Sequence, residues 1–360
     1  MIIKNLYLTN FRNYENEKIE FSPKTNIIYG KNGQGKTNII EAIYYFQSGK
    51  SFRSIRENEI INFGKSYSKI EAEFEKAGQT DSSYIFVSDK KSIKLKGVQI
   101  EKLSELIGEY SMVIFTPDFL SLIKDGPGER RKFLDSFISQ IKPSYFKNLI
   151  NYYRVLKQRN NLLKKGFKNI DETMDIWEEK LASLGVEICA MREKAIEKIN
   201  ETVNIIGKDN EKTEEIKLKY SPSIKGDYKD FENYKNELKN SRQRDIEKGM
   251  TQTGPHRDDF EIFMNDINIK KFGSQGQMRS CVLKLKLSEC EIIKEKSGEE
   301  PILLLDDILS ELDIERRKFF IEKIKDKQVI ITCTDKEDYF DDDCFVFKIE
   351  NGKVIKENKR

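Results

Sequence analysis

The stretch that decides the fold reads "NIIYGKNGQGKTNII" and covers residues 26–40. A short apolar run leads into a glycine-rich turn, Lys36 and Thr37 follow the turn, and a second apolar run comes after them. Residues 30–37 match the pattern G-x-x-x-x-G-K-[ST] at every position. The apolar runs predict a buried strand before the turn and a helix from Thr37 to about Phe46 after it. This order is typical of a loop that binds nucleotide phosphates.

Each residue type in the loop suits phosphate binding. Glycines let the loop bend and direct backbone N–H groups towards phosphates at the start of a helix. We expect Lys36 to reach the β- and γ-phosphates and the Thr37 hydroxyl to ligate Mg²⁺. A chance glycine turn is the alternative, and the full match argues against it. The residues predicted to bind ATP are Gly30, Lys31, Asn32, Gly33, Gln34, Gly35, Lys36 and Thr37.

Such a loop needs an acidic partner at the end of a neighbouring strand. The run "ILLLDD" at 302–307 provides an apolar strand that ends in Asp306 and Asp307. We expect Asp306 to support Mg²⁺ and Asp307 to act as the base that orients the attacking water. An acidic turn at the end of a strand is the structural alternative, which the upstream phosphate loop makes less favoured.

A second glycine-bearing turn, "GSQGQMRS" at 273–280, leads into a long amphipathic helix. Amides at a helix start form an anion site. One chain does not need two γ-phosphate sites for one ATP. The economical interpretation is that Ser274, Gln275, Gly276 and Gln277 face the ATP of a second subunit.

Composition excludes several classes of protein. The chain has 360 residues, of which 38% are hydrophobic and 35% charged, with a net charge of +3. Its five cysteines form no CxxC and predict buried reduced thiols. The single histidine, His256, argues against a histidine-built metal site or a Ser-His-Asp triad. The start of the chain lacks the apolar core of a secretion signal, and the longest apolar runs are too short to cross a bilayer. We therefore expect a cytoplasmic protein without membrane partners.

Secondary-structure patterns divide the chain into three parts. Strand patterns occupy 2–8, 17–21, 26–29, 69–75, 83–88, 92–100 and 111–115, several with the alternation of a half-exposed antiparallel sheet. From about 118 to 250 apolar residues follow helical spacing and strand signals vanish. Strands return in "DDFEIFMNDINI", with a hairpin at Asn265-Asp266, and at 301–307, 328–333 and 344–355. We predict a discontinuous α/β domain of residues 1–116 and 250–360, with an inserted arm of several short helices at 117–249.

The order of these motifs resembles the ABC-type ATPase heads of the SMC group. Walker-A-like "GKNGQGKT", signature-like "GSQGQ", Walker-B-like "ILLLDD" and D-loop-like "SELD" at 310–313 carry the likeness. Within that group the chain resembles the RecF family of bacterial recombination and repair proteins. That resemblance rests on four segments that span most of the chain: "LTNFRNYENEKIEF" at 8–21, "SGKSFRS" at 48–54, "PDFLSLIKDGPGERRKFLD" at 117–135 and "TGPHRDDFEI" at 253–262.

The resemblance implies a mixed sheet with an antiparallel subdomain and an inserted helical arm. It implies an ATP-bound, head-to-tail homodimer with two composite sites, which separates after hydrolysis. It also implies a DNA-binding protein of recombination and replication restart that helps load recombinase at gaps and supports SOS induction. RecO and RecR are the partners that the resemblance implies.

Three positions depart from the ABC pattern. Asp307 stands where Glu is common, and Thr334 in "VIITCTD" stands where a switch histidine is common. A hydroxyl cannot take a proton near neutral pH. Thr116-Pro117 stand where a Gln is expected, so no Gln-loop residue is named. We therefore predict slow ATP hydrolysis that serves as a timing switch. We expect the chain to act mainly as a DNA-binding switch with weak, DNA-dependent ATPase activity.

Two basic segments are candidates for contact with DNA. No acidic residue occurs between Ser136 and Ile170, and aromatics (Tyr145, Phe146, Tyr152, Tyr153) are interleaved with the cations. The alternative is a solvated basic face whose aromatics pack into the arm's own core. The cations of this segment are Lys142, Lys147, Arg154, Lys157, Arg159, Lys164, Lys165 and Lys168; those of the second candidate, "KSFRSIR", are Lys50, Arg53 and Arg56.

Several single residues have both a structural and a functional interpretation. For Arg130 and Arg131 we expect an ion pair with Asp135, one turn on, for at least one of them. His256 is expected to serve turn structure or packing, and Trp177 the core of the arm. Arg12 approaches a nucleotide or forms a surface ion pair, and the sequence leaves both open.

Three rival functions differ in what they require. A small-molecule phosphotransferase would keep its acceptor site within one subunit and turn over without DNA, and "GSQGQ" counts against it. The energising subunit of a membrane transporter would need a coupling surface, for which the arm is too long and too basic. An SMC-like structural head would need a long heptad arm, which the insertion does not show.

Overall fold

The computed structural model describes residues 1–53, 56–165, 170–206, 214–335 and 344–357. The chain forms two compact units, one of Met1–Phe119 with Glu289–Arg360 and the other of Leu120–Ser288. We call them the head unit and the inserted unit. The first boundary lies close to the predicted 116/117, whereas the second lies later than the predicted 249/250.

The head unit begins with strands on either side of one helix. Its elements before the insertion are β1 (Ile2–Phe11), β2 (Tyr14–Glu20), β3 (Thr25–Tyr29), α1 (Lys36–Ser48), β4 (Ser68–Lys76), β5 (Gln79–Val87), β6 (Lys91–Leu95), β7 (Val98–Ile100) and β8 (Met112–Phe115). The single strand predicted at 92–100 is two strands, because Lys96 and Gly97 both adopt positive φ (49° and 80°) and turn the chain.

The inserted unit contains most of the helices. Its elements are α2 (Ser121–Lys124), α3 (Pro127–Ile141), α4 (Pro143–Lys165), α5 (Ile170–Ile206), β9 (Ile216–Ser221), α6 (Phe231–Asn240), α7 (Arg242–Lys248), β10 (Asp259–Met264), β11 (Ile267–Asn268), α8 (Ile269–Phe272) and α9 (Gln275–Ser297), which crosses the boundary at 288/289. Helices α4 and α5 have 23 and 37 residues, so the expectation of several short helices was wrong for these two.

The chain then completes the head unit. The remaining elements are β12 (Ile302–Asp306), α10 (Ile314–Ile324), β13 (Val329–Cys333), β14 (Cys344–Glu350) and β15 (Lys353–Glu357). No helix in the described residues is both long and apolar enough to cross a membrane. All five cysteines are free and buried, as predicted.

Two six-stranded sheets build the head unit, in the orders β2-β1-β4-β5-β6-β7 and β15-β14-β3-β13-β12-β8. The first is antiparallel throughout, and alternating burial along β4 shows one face towards the core. In the second, β14, β3, β13, β12 and β8 are parallel. Every residue of β12 and β13 is buried, which explains their uninterrupted apolar runs. Helix α1 packs against β8, β12 and β13.

A three-stranded sheet, β11-β10-β9, lies in the inserted unit. The hairpin at Asn265-Asp266 is present, with positive φ at both residues (50° and 61°). Strand β9 was not predicted, and it pairs antiparallel with β10 from Ile216 opposite Met264 to Ser221 opposite Asp259. This pairing holds β10 in the inserted unit and moves the boundary towards the C-terminus.

Candidate functional site

The glycine-rich loop connects β3 to α1 in a conformation that requires glycine. Gly30, Gly33 and Gly35 have φ of 149°, 80° and 111°, in the region that other residues rarely adopt. A Cβ at Gly30 would lie 2.5 Å from the Ile349 carbonyl oxygen, and one at Gly35 would lie 2.5 Å from the Asn13 side chain. The backbone therefore approaches its neighbours more closely than any side chain allows.

The structure brings Thr37, at the start of α1, against Asp306, at the end of β12. The Thr37 hydroxyl donates to Asp306 Oδ1 at 2.8 Å. The Thr332 hydroxyl donates to the same oxygen at 2.8 Å, because Asp306 and Thr332 are partners in the parallel register of β12 and β13. The carboxyl ends of β3, β12 and β13 thus meet beside the start of α1, which is where ligands bind in open α/β sheets.

Lys36 lines a cleft together with Thr37 and Asp306. The residue is 8% exposed, and its ammonium donates to the carbonyl oxygens of Gly30 at 2.6 Å and Lys31 at 3.1 Å. Both acceptors are neutral, so the charge is oriented by the loop without being neutralised by these contacts. A buried ammonium held in this way is suited to an anionic ligand.

Asp307 adopts a left-handed conformation with φ of 51°. Its N–H donates to the Thr332 carbonyl at 3.2 Å and to the Thr332 hydroxyl at 3.0 Å, which fixes the turn after β12. Burial raises the pKa of the Asp307 carboxyl, an effect that nearby Lys36 opposes and nearby Asp306 reinforces. A carboxyl with a raised pKa is a better proton acceptor, as a water-orienting base requires.

Two clefts lie side by side here. The phosphate cleft, which the glycine-rich loop helps to line, has a volume of about 430 Å³, and the second cleft, which shares lining residues with it, has a volume of about 600 Å³. Asn38 and Arg53 line both. The phosphate cleft is lined by Asn32, Gly33, Gly35, Lys36, Thr37, Asn38, Arg53, Asp306, Asp307 and Thr332. The second is lined by Arg12, Asn13, Asn38, Arg53, Glu59, Ile61, Asn62 and Phe63.

Sequence reasoning missed Asn38 and Thr332 and considered Arg53 only for DNA. Asn38 and Arg53 are joined by a hydrogen bond from Arg53 Nη1 to Asn38 Oδ1 at 2.9 Å. Gln34 was predicted to bind ATP, and in the structure its Oε1 accepts from the N–H of Asn351 at 2.5 Å. The only sequence signal for Thr332 was that it is a polar residue near the end of the apolar strand β13.

The donor set suits a magnesium–nucleotide complex. The Thr37 hydroxyl and the Asp306 carboxylate are hard oxygen ligands on adjacent walls of the cleft. Gly33 and Gly35 line the same cleft, and the backbone N–H groups of such a glycine-rich loop are suited to bind phosphates. These residues would hold the ion and the phosphates that the motifs predict.

Arg12 forms an ion pair and also lines the second cleft, so the ion pair does not exclude contact with a nucleotide. Its guanidinium donates to both carboxylate oxygens of Glu41, at 3.0 and 2.6 Å, and to the Glu59 carbonyl at 2.7 Å. Glu41 is fully buried in α1 and also accepts from the Ser51 hydroxyl. The pair ties β1 and the segment after α1 to the helix that carries Lys36.

The signature-like residues lie in the inserted unit, at the start of α9. The Ser274 N–H donates to Gln277 Oε1 at 2.9 Å, and the Gln277 N–H donates to the Ser274 hydroxyl at 3.2 Å. These reciprocal bonds form a capping box. Ser274, Gln275 and Gln277 are exposed, and Gly276 is partly exposed.

In the basic segment of α4, the structure separates one cation from the others. Arg159 is fully buried and pairs with Glu178 at 2.8 Å and Asp245 at 2.7 Å, so it cannot reach DNA. Tyr145 and Tyr152 are also buried, whereas Tyr153 is 43% exposed. Lys168 and the Lys165 side chain lie outside the described residues. The exposed cations are Lys142, Lys147, Arg154, Lys157 and Lys164, and in the other candidate Lys50, Arg53 and Arg56.

Arg130 and Arg131 are structural, although not through Asp135. Arg130 donates to both carboxylate oxygens of Asp259, at 2.6 and 3.0 Å. Arg131 donates to the Asp258 carbonyl at 2.7 Å. Asp135 instead accepts from Arg192 at 2.8 Å, so the predicted pairing was wrong.

His256 and Trp177 lie in the inserted unit. His256 bonds the Tyr152 hydroxyl at 2.8 Å and the Thr251 carbonyl at 3.0 Å, as expected for a packing residue. Burial lowers the pKa of His256 to about 4. Trp177 is partly exposed, with the Lys180 ammonium 5.1 Å from its ring centre.

Comparison with known proteins identifies relatives along the whole chain. Residues 2–121 match the family described as the RecF/RecN/SMC N terminal domain. The DNA replication and repair protein RecF of Clostridium perfringens (strain SM101 / Type A) is 42% identical over 365 residues, which cover 98% of this chain and 99% of that protein. RecF of Clostridium acetobutylicum is 42% identical over 361 residues, with the same coverage.

Solved structures agree with these sequence matches. A structure of the recombination mediator protein RecF with ATP in the RecFOR pathway has a TM-score of 0.92 and 37% identity, and covers 99% of this chain and 97% of its own. A structure with ATPrS has a TM-score of 0.91 and 36% identity, with 99% and 98% covered. An Smc head, at 18% identity and a TM-score of 0.57, shares the fold.

The fold is therefore that of an SMC- and RecF-like ABC ATPase head with a helical insertion, as the motifs predicted. The relatives match this chain over nearly their whole length at an identity that leaves no doubt about common descent. The chain belongs to the RecF family of DNA replication and repair proteins.

Proposed function

We propose that this protein is an ATP-dependent, DNA-binding switch of recombinational repair and replication restart. The observation that carries the proposal is the convergence of Lys36, Thr37, Asp306 and Thr332 at the carboxyl ends of three parallel strands. Relatives of known structure were solved with ATP or ATPrS, which supports ATP as the ligand here.

Each residue of the phosphate cleft has a defined part in this proposal. Lys36 exchanges its carbonyl acceptors for the β- and γ-phosphate oxygens, and the loop amides bind the same phosphates. Thr37 and Asp306 hold Mg²⁺, which neutralises phosphate charge when it is bound. Asp307 orients the attacking water and accepts its proton.

The second cleft is suited to the base and ribose of the nucleotide. It adjoins the phosphate cleft through Asn38 and Arg53 and presents Phe63, which is fully exposed at 101%. An aromatic ring stacks on any base, and asparagine side chains donate to and accept from its edge.

We further propose that Ser274, Gly276 and Gln277 complete the ATP site of a second copy in a head-to-tail homodimer. Their exposure is consistent with contact across a dimer. ATP that is bound by both copies stabilises the closed dimer, and loss of the γ-phosphate releases it. Hydrolysis is slow because Asp307 replaces the longer glutamate and the exposed Thr334 cannot exchange a proton near pH 7. Dependence of hydrolysis on DNA belongs to the same proposal, through the role as a DNA-binding switch.

The DNA partner is single-stranded, duplex or gapped, and the protein partners are RecO and RecR. The RecFOR pathway in which the related structures were described supports this assignment. Loading of recombinase at gaps and support of SOS induction follow from the same proposal. The family relationship disfavours a small-molecule phosphotransferase or a transporter subunit.

Mixing two inactive variants tests the composite site. Lys36→Arg disables the ATP-binding loop of its own copy. Ser274→Arg blocks the surface that would complete the ATP site of the other copy. Each variant alone should lack ATPase activity, and Ser274→Arg should bind ATP as a monomer in sedimentation. A mixed dimer contains one intact site, so mixing should restore activity, to at most about half of the wild-type rate per intact dimer. Failure to restore activity, with both variants folded and Ser274→Arg dimerising normally, would refute the composite site.

A further inference from the structure

Two segments without acidic residues lie side by side in the inserted unit. Residues 136–165 contain no Asp or Glu, and neither do residues 248–257. The N–H and hydroxyl of Thr251 donate to Asn160 Oδ1 at 2.8 and 2.7 Å. The Tyr152 hydroxyl bonds His256 Nδ1 at 2.8 Å. The second segment therefore runs along α4, which sequence patterns gave no reason to expect.

Exposed cations from both segments share this surface. Lys147, Arg154 and Lys157 are exposed on α4 at helical spacing, and Arg257 is exposed on the adjacent segment. The Arg257 guanidinium reaches the Met250 sulfur at 3.2 Å and so lies against the surface. From residue 147 to 157 the helix rises about 15 Å, enough for a row of phosphates.

Few acidic residues accompany this surface. Glu187 of α5 accepts from Asn148 at 2.5 Å, and Glu247 precedes the second segment in sequence. Asp135 and Asp258 are close enough to act on Tyr153, but both are largely buried and pair with Arg192. Arg159, the cation of the same helix that is neutralised by acids, points into the interior. Positive charge therefore dominates the outer face.

Apolar side chains are exposed between the cations. Tyr153 and Met250 are 43% and 42% exposed. The Tyr153 ring is held edge-on to the buried Tyr152, with ring centres 5.9 Å apart and planes at 79°. An aromatic ring fixed among cations is the arrangement that binds unpaired bases by stacking while cations bind the backbone.

We propose that this surface, the α4 track (Lys147, Tyr153, Arg154, Lys157, Met250 and Arg257), binds single-stranded nucleic acid. The cations bind phosphates, and unpaired bases contact Tyr153 and Met250. Duplex DNA keeps its bases stacked inside the helix, so it would use the cations and leave Tyr153 and Met250 without a partner. The proposal rests on the DNA binding proposed above and names its surface and the form of the strand.

We expect different results from variants of the full-length protein that remove cations and from variants that remove the aromatic ring. Binding of a fluorescent oligo(dT) and of a duplex hairpin of equal length is measured by anisotropy at several salt concentrations. Lys157→Gln with Arg257→Gln should weaken oligo(dT) binding roughly tenfold or more and reduce the salt slope by about 1.4, which corresponds to two phosphate contacts. Tyr153→Ser should weaken oligo(dT) binding about fivefold or more at an unchanged slope, and Tyr153→Phe should not.

A matched control comes from the same unit. Lys217→Gln with Lys219→Gln removes two exposed cations from β9 and should leave oligo(dT) affinity unchanged apart from a small general charge effect. If the track variants bind oligo(dT) like the wild type, the α4 track is refuted while DNA binding by the protein stands. If Tyr153→Ser has no effect, or weakens hairpin and oligo(dT) equally, single-strand recognition is refuted. If the wild type binds neither probe with or without ATP, both proposals fail.

Discussion

Two buried sites, one in each unit of this protein, hold their charges in different ways. In the head unit, Lys36 donates to backbone carbonyls and Asp306 accepts from two hydroxyls. In the inserted unit, Arg159 faces the carboxylates of Glu178 and Asp245, and all three side chains are fully buried. Neutral partners leave a charge available to a ligand, whereas charged partners neutralise it inside the protein. The partners of a buried charge therefore distinguish a binding site from architecture.

Removing the buried guanidinium of Arg159 should have the largest effect on stability. Arg159→Met leaves Glu178 and Asp245 without their shared cation, and Arg242 compensates only Glu178, through a contact at 2.6 Å. We expect the free energy of unfolding of the inserted unit to fall by roughly 3–5 kcal/mol, measured by urea denaturation.

Arg154→Met on the exposed face of the same helix is the matched control. Because Arg154 is exposed, its loss should change the free energy of unfolding by no more than about 0.5 kcal/mol. Equal effects of the two substitutions would contradict an architectural role for the buried charge.

His256 extends the comparison to a residue that is kept neutral by burial. Its pKa is lowered from 6.5 to about 4, so between these pH values the unfolded chain binds more protons than the folded one. Stability is therefore lost as pH falls from about 6.5 towards 4, by up to about 3 kcal/mol from this group.

Urea denaturation of wild type and His256→Gln across this pH range measures the effect. The wild type should lose more stability than the variant as pH falls, since the variant has no imidazole to protonate. If the difference in free energy of unfolding between the two proteins stays constant from pH 7.5 to 4.5, burial does not shift the pKa of His256.

The phosphate loop and the strand that ends in Asp306 could be predicted because each is a contiguous motif. The hairpin at 265–266 was predictable for the same reason, since Asn-Asp favours positive φ at both positions. Family resemblance then supplied the order of the ATPase motifs. Local patterns were sufficient wherever the decisive contacts lie close in sequence.

Features that depend on partners distant in sequence could not be predicted. Strand β9 alternates lysine with apolar residues as a strand does, but only its pairing with β10 shows that it belongs in a sheet. Burial of Arg159 depends on Glu178 and Asp245 from two other helices, so helical spacing alone assigned it to the basic face. Thr332 contacts Asp306 because of the order of the parallel strands, which the sequence does not state.

Substitution of Thr332 tests the role of the neutral groups that hydrogen-bond the Asp306 carboxylate in the phosphate cleft. Thr332→Val removes a hydrogen bond to the Asp306 carboxylate and another to the N–H of Asp307. We expect the ATPase kcat to fall at least about tenfold, corresponding to roughly 1.5 kcal/mol for a bond to a charged group. Thr332→Ser keeps the hydroxyl and should retain most of the activity, whereas equal loss in both variants would point to packing of the methyl group instead.

Phe63 should give the smallest effect and the most selective one. Its backbone turn is fixed by the Lys65 N–H bond to the Asn62 carbonyl at 3.0 Å, while the ring is fully exposed. Phe63→Ala should therefore leave the free energy of unfolding within about 0.5 kcal/mol of wild type. If the ring stacks on the base, the Kd for ATP should rise about fivefold, or roughly 1 kcal/mol.

Titration with inorganic tripolyphosphate distinguishes binding in the phosphate cleft from binding in the second cleft. It occupies the phosphate cleft without a base, so its affinity should not change in Phe63→Ala, and GTP should lose as much affinity as ATP because stacking is insensitive to the base. A parallel loss for tripolyphosphate would mean that Phe63 shapes the phosphate cleft rather than the second cleft.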